Sequence, residues 1–367
     1  QSVERLGTLV ETYTVMLIVT LCIYILSVVM PSTSLFQLSA TRWTPSVSQP
    51  TIYLFIFFVT PLLSVILMLI AHIARKSNLM NINRLYYKAA FPVIGTLSFF
   101  LLMIFVPQLR FITETLGLPS LVLICLVIVA LPPSLSYHKI AKTNFSAEDE
   151  MPSFLRDITE ARKTGLSPEK SIVHASKRKG YGEFSKILRL VRNQITWGVS
   201  LKRIFGNIKK QIQSWPVLVN FLVLVETIRI GGGSATALEI LSEYSEKERD
   251  IEKNKRAMLK PYIVVSFVWS ILLALTTTVV LMTMYILTQV TVPSLAEATS
   301  GTVHQLVEIF SAGIIFQCWM SGFFIGKVSD GSFAAGFKYS AMLAITAYIS
   351  VLLSKNFLGL LYAITPS

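Results

Sequence analysis

The chain has 367 residues, of which 53% are apolar and only 14% charged, and its formal net charge is +13. A water-soluble globular protein of this length does not carry so apolar a composition, so the membrane is the expected solvent. The basic excess is read first as the positive-inside bias of membrane proteins rather than as a nucleic-acid footprint.

In chain order, Gln1–Glu11 is polar and helical in pattern, unlike a signal peptide, and reads as the end of a cytoplasmic domain lying further upstream. Windows of about 20 apolar residues, enough to cross a bilayer core, follow at Thr12–Met30, Ile52–Ala74, Ala89–Val106, Pro119–Tyr137, Pro261–Val290, Gln305–Gly326 and Tyr339–Ala363. Seven transmembrane helices are therefore expected. With the amino end inside, the inner segments hold 30 Lys and Arg and the outer ones only Arg42, Arg110 and Lys355. That asymmetry places residues 138–260 in the cytoplasm and the carboxyl end outside. Pro132-Pro133 is expected to break the fourth span. The arrangement of tail, span, outer loop, span, basic inner loop and span occurs twice, over Gln1–Val106 and from about Ser245 onward. Both copies have the same orientation.

The expected domains are 1–137 with the first four spans, 138–260 as a basic helical domain, and 261–367 with the last three spans. Within the middle domain Pro152 is expected to open a helix that Gly165 closes. Ser167-Pro168 then caps the next helix, which Gly180 ends. Further helices are expected at Glu183–Trp197, Ser200–Gln213, Pro216–Ile230 and Ser234–Met258, with Gly231-Gly232-Gly233 as a flexible turn. Apolar residues recur at helical spacing and no stretch alternates like a strand. The fold class is thus all-α, a polytopic membrane protein with an inserted cytoplasmic six-helix bundle.

Lys177, Arg178, Lys179, Lys186, Arg189, Arg192, Lys202, Arg203, Lys209 and Lys210 concentrate the charge in the second, third and fourth of these helices. Such a face fits an acidic protein partner or, more plainly, anionic lipid headgroups at roughly 1 kcal/mol per basic residue. No aromatic-interleaved groove or reading motif points to nucleic acid. Chemistry is sparse elsewhere. His72, His138, His174 and His304 are scattered, Cys22, Cys125 and Cys318 fall in apolar segments as small packing residues, and no spacing suits a metal or a cofactor. Asp157 and Glu160 read as surface ion-pair partners of Arg156 and Arg162. In the sixth span Cys318, Gly322 and Gly326 form a small-residue stripe for close helix packing, within the chain or between copies, beside Gln317, which can bond across helices. The spans carry almost no ionisable groups, which disfavours a transporter or channel, the alternative reading.

Phe154-Leu155-Arg156-Asp157-Ile158, followed by Gly165-Leu166-Ser167-Pro168-Glu169-Lys170-Ser171, resembles the start of the domain named for the F protein of type II secretion. Glu226-Thr227-Ile228-Arg229-Ile230-Gly231-Gly232-Gly233, continuing through Ala237-Leu238-Glu239 to Pro261, resembles its second half. With the surrounding spans the chain is most similar to the archaeal branch, the archaellum platform family (FlaJ/ArlJ) and its adhesion-pilus relatives. The resemblance implies a non-enzymatic platform in the cell membrane, working as a homodimer. It also implies contact with a cytoplasmic hexameric secretion ATPase and insertion of pilin-like or archaellin subunits into a filament. The basic residues Lys177, Arg178, Lys179, Arg189, Arg192, Lys202, Arg203, Lys209 and Lys210 are then the expected ATPase-binding set.

Overall fold

A computed structural model describes residues 55–74, 115–231, 233–291 and 293–364, with short pieces at 11–12, 15, 17–23, 25, 87, 90–96 and 98–99. The described elements are all helical. A π-helical turn, Phe55–Val59, leads into α1 (Thr60–Ala74). There follow α2 (Leu118–Lys163), α3 (Pro168–Ala175), α4 (Phe184–Thr196), α5 (Leu201–Gln211), α6 (Trp215–Gly231), α7 (Ala235–Thr291), α8 (Pro293–Asp330) and α9 (Phe333–Ile364).

Among the described residues, four helices are long and apolar enough to cross a membrane: α2, α7, α8 and α9. The apolar part of α1 is shorter, Phe57–Ile73. The expected spans Thr12–Met30 and Ala89–Val106 lie in part outside the described residues. The chain is a multi-pass membrane protein. Its helices are longer than the spans they contain: 57 residues of α7 amount to about 85 Å of helix, well beyond one hydrocarbon core.

Three prolines expected to punctuate the chain do not. Pro132 and Pro133 do not break the fourth span and Pro152 does not open a helix, because all three lie inside α2. Likewise α7 does not stop near Met258 but runs through Pro261. The fixed φ of proline is itself helical, so each costs the hydrogen bond its missing N–H would have made and some crowding of the preceding turn. Packing on both flanks retains the helix. Met151, Phe154 and Leu155 around Pro152 are all fully buried.

Contacts divide the chain into two units, whose boundaries fall between Ser134 and Leu135 and between Met258 and Leu259. In the apolar unit α8 packs along α9 and against α1. Its core includes Leu67, Phe310, Ile314, Cys318, Leu343 and Ala347. Gly322 and Gly326 set the α8–α9 distance: a Cβ at Gly322 would lie 2.2 Å from Ser340 Cα, and one at Gly326 2.2 Å from Gly336 N. Gln317 Nε2 donates to Ser64 Oγ of α1 at 2.8 Å. Between α8 and α9 the chain reverses in two residues, with Gly331 at φ +73°. The Lys327 ammonium, only 1% exposed, donates to Gly331 O at 3.1 Å and lies 5.3 Å from the Phe333 ring. A cation at a helix carboxyl end offsets the dipole and satisfies a terminal carbonyl.

The second unit, residues 135–258 among those described, holds the polar end of α2, α3 to α6, and the start of α7. Its core centres on Phe154, Phe184 and Phe221, whose ring centroids lie 6.0–6.2 Å apart. Two buried polar ties lock the helices together. Asn144 Oδ1 accepts from the backbone N–H groups of Gln213 (2.9 Å) and Ser214 (3.2 Å) at the entry to α6. Glu148 accepts from Ser214 Oγ at 2.6 Å and from Arg256 at 2.5 Å. Arg256 also lies 4.1 Å from the centre of the Phe145 ring.

Candidate functional site

The local grammar of the second unit is that of short capped helices. Ser167 caps α3 by accepting from Lys170 N, with Pro168 in the first turn. The preceding break uses Gly165 at φ +88°. Here α3 ends at Ala175 rather than near Gly180. Lys177, Arg178 and Lys179 therefore stand in the turn after it and not on a helix, because Ser176, Lys177 and Arg178 close onto the last turn through short-range backbone bonds instead of extending it.

That turn is anchored by Asp157 of α2, which accepts from both Arg178 and Tyr181. Burial pushes the Tyr181 hydroxyl well above its ordinary pKa, with the bond to Asp157 adding to it. Asp157 raises the Arg178 guanidinium likewise. Arg178 is thus already committed to its own domain. Glu160 pairs with Arg156 at 3.4 Å, while Arg162 turns to the carbonyls of Gly233 and Leu166. The glycine run is accordingly tied at its Gly233 end, where N–H also donates to Thr227 O.

Helices α4 and α5 carry the remaining charge. On α4, Phe184, Ile187, Leu188 and Val191 face the core. Lys186 and Arg189 are exposed and Arg192 is half-buried. On α5, Ile204 and Ile208 face inward, leaving Lys202, Arg203, Lys209 and Lys210 exposed. The two helices are neighbours, and Asn207 Nδ2 bonds Gln194 Oε1 across them at 3.2 Å. No acidic residue occurs from Phe184 to Gln211. Among the described residues, Lys186 pairs with Glu183 at 2.6 Å, and these bonds with those from Lys142 hold the Glu183 carboxyl below its ordinary pKa. Arg189, Arg192, Lys202, Arg203, Lys209, Lys210, Lys177 and Lys179 have no acidic partner among the described residues. An acid-free face of unpaired cations creates a positive potential that attracts an acidic surface and orients it.

Composition alone did not single out Trp197, which ends α4 and is 76% exposed. Trp and Arg are the residues most enriched where interfaces concentrate binding energy. The signal was a tryptophan directly before Gly198, which takes φ +75° and stops the helix. A groove of about 580 Å³ between α2 and α3 adjoins the turn, with Asp157 and Glu160 on one wall and His174 and Lys177 on the other. Among the described residues no three His, Cys, Asp or Glu side chains gather into a metal site.

Residues 154–282 match the family model of type II secretion system (T2SS), protein F. Over this stretch the chain is similar to T2SS protein F. The match begins at Phe154, in the aromatic core, contains the whole of α3 to α6 and ends within α7. The chain is also 24% identical over 209 residues to the uncharacterized protein MJ1286 of Methanocaldococcus jannaschii. The aligned part is 57% of this chain and 33% of that protein, so the chain spans about a third of the relative's length. No solved structure matches the chain.

Proposed function

We propose that this chain is the membrane platform of a type IV pilus-like filament machine, an archaellum or an archaeal pilus. In this reading the F domain lies in the cytoplasm and receives a hexameric ATPase, and the chain works as a homodimer. Motion imposed on the F domain passes into the spans and drives pilin-like or archaellin subunits from the bilayer into the filament base. The platform performs no chemistry itself; hydrolysis stays with the ATPase. The observation that carries the reading is the acid-free basic face of α4 and α5 inside the region matched to T2SS protein F. The 30 to 3 distribution of Lys and Arg supports the cytoplasmic side for that face.

On this account Arg189, Arg192, Lys202, Arg203, Lys209, Lys210, Lys177 and Lys179 meet acidic residues of the ATPase, with Trp197 as an apolar anchor beside them. Arg178 contributes by holding the turn through Asp157. Exposed charge pairs are screened by salt, over about 10 Å at 0.1 M, so the complex should form at low ionic strength and weaken as salt is raised. Co-purification in detergent with the secretion ATPase of the same genome, at low and high salt, tests this. Capture that salt reverses is expected; no capture at either salt would overturn the platform reading.

A further inference from the structure

Three buried polar atoms of the apolar unit belong to residues that line one small cavity. Thr20 and Gln317 are each 2% exposed, and Thr20 Oγ1, Gln317 Oε1 and Trp269 Nε1 are buried with no hydrogen-bond partner among the described residues. The cavity has a volume of about 10 Å³ and lies between the helical piece 17–23, α7, α8 and α9. The Gln317 amide is oriented by α1. Ser64 Oγ gives its proton to Thr60 O at 3.2 Å, so it can only accept from Gln317 Nε2, at 2.8 Å, which leaves Oε1 as the unmet atom. The other hydroxyls on the cavity wall have committed their protons elsewhere. Ser266 donates to Tyr262 O at 2.7 Å, Ser321 to Gln317 O at 3.0 Å, and Ser270 to Cys318 Sγ at 3.3 Å or Leu343 O at 3.4 Å. Among apolar spans bulk solvent does not reach such groups, and each one left unmet lowers stability.

We propose that this cavity is a binding site for one water molecule, which joins the helical piece 17–23 to α7 and α8 within the apolar unit. The chemistry of the three atoms selects the ligand. An indole N–H can only donate and an amide oxygen can only accept, so the occupant must accept on one side and donate on the other. A cation is repelled by the indole proton and an anion by the amide oxygen. The volume suits about one water-sized sphere and nothing larger, and about three partners is usual for a buried water. The water accepts from Trp269 Nε1, donates to Gln317 Oε1 and bonds the Thr20 hydroxyl. Each partner stands on a different helix, so the joint holds three helices together, and the bond from Gln317 to Ser64 adds α1 as a fourth. The site is independent of what the chain assembles.

The test uses the full chain in lipid nanodiscs, with the tryptophan indole nitrogens isotopically labelled for magnetic resonance. The Trp269 indole signal, identified by its loss in Trp269→Phe, should show a cross-peak to water of the sign that marks a water held close rather than an exchanging proton. Thr20→Val, which swaps the hydroxyl for a methyl of the same shape, gives a second readout in the melting temperature. In a dry cavity the change removes an unmet polar group and should raise melting by about 2 °C or more; at a bound water it deletes a hydrogen bond and should lower melting by about 2 °C or more. The cross-peak together with the lowered melting temperature is expected. A missing cross-peak, or a Thr20→Val protein that melts at or above the parent, would overturn the site. Should Trp269→Phe fail to fold, the Thr20→Val melting temperature decides alone.

Discussion

Gly326→Ala and Gly206→Ala are the same chemical change with opposite expected outcomes. At Gly326 the new Cβ would sit 2.2 Å from Gly336 N and 2.3 Å from Gly336 Cα, where ordinary contact begins at 3.4 Å. The obstacles are backbone atoms, which cannot rotate away, so α8 and α9 must part locally by about 1.2 Å. Overpacking of this kind costs about 3 kcal/mol, against which the helix preference of alanine over glycine returns about 1 kcal/mol. The net loss of about 2 kcal/mol should lower the melting temperature in detergent by roughly 5 °C. Gly206 lies mid-helix in α5 and a Cβ there meets nothing within 4 Å. Its replacement should raise stability by about 1 kcal/mol. Thermal unfolding followed by tryptophan fluorescence or by a fused fluorescent reporter measures both. A Gly326→Ala protein that melts at or above the parent would refute the close α8–α9 approach.

Two further predictions concern the ties of the second unit. Both Glu148 and Arg256 lie in the polar parts of their helices, outside the apolar stretches. Burial raises the Glu148 pKa, with Arg256 and Ser214 pulling it back. A raised folded pKa means that its contribution to stability is fully present below the unfolded value and is lost as pH rises through the folded one. Arg256→Met removes the main opposing charge, so Glu148 rises further. The variant should be about 3 kcal/mol less stable at pH 7, with a deficit that shrinks toward pH 5. Urea unfolding at several pH values checks this, and Glu148→Gln in the same background should recover most of the loss. Asn144→Leu strands the buried N–H groups of Gln213 and Ser214 and should cost about 2–4 kcal/mol, with hydrogen exchange rising first at the start of α6.

What the sequence disclosed of the fold depended on whether the deciding physics was local. The Ser167-Pro168 start of α3 needs only a hydroxyl, a fixed φ and four neighbouring residues, and it is where local chemistry places it. The apolar lengths of α2, α7, α8 and α9 are equally local. Prolines misled because their cost is set against tertiary packing: Pro152 sits between buried Met151 and Phe154, and its carbonyl accepts from Ser242, 90 residues away. The charge of the candidate face was legible residue by residue. Which cations are free was not, since Arg178 finds Asp157 only after 21 residues of chain have turned back on α2. Gly322 and Gly326 could be read as packing residues, but their α9 partners required the fold.

The central claim is that the basic face of α4 and α5 receives an acidic ATPase. Its most direct test is the affinity of the detergent-solubilised chain for the purified hexameric ATPase, compared between the parent and Lys209→Glu/Lys210→Glu, with Lys170→Glu on α3 as control. Both target lysines are exposed and unpaired among the described residues, so the fold should be unaffected. The account predicts at least about a tenfold loss of affinity at low salt for the double reversal, a smaller difference at high salt, and no change for the control. Equal binding by parent and double variant at low salt would contradict it.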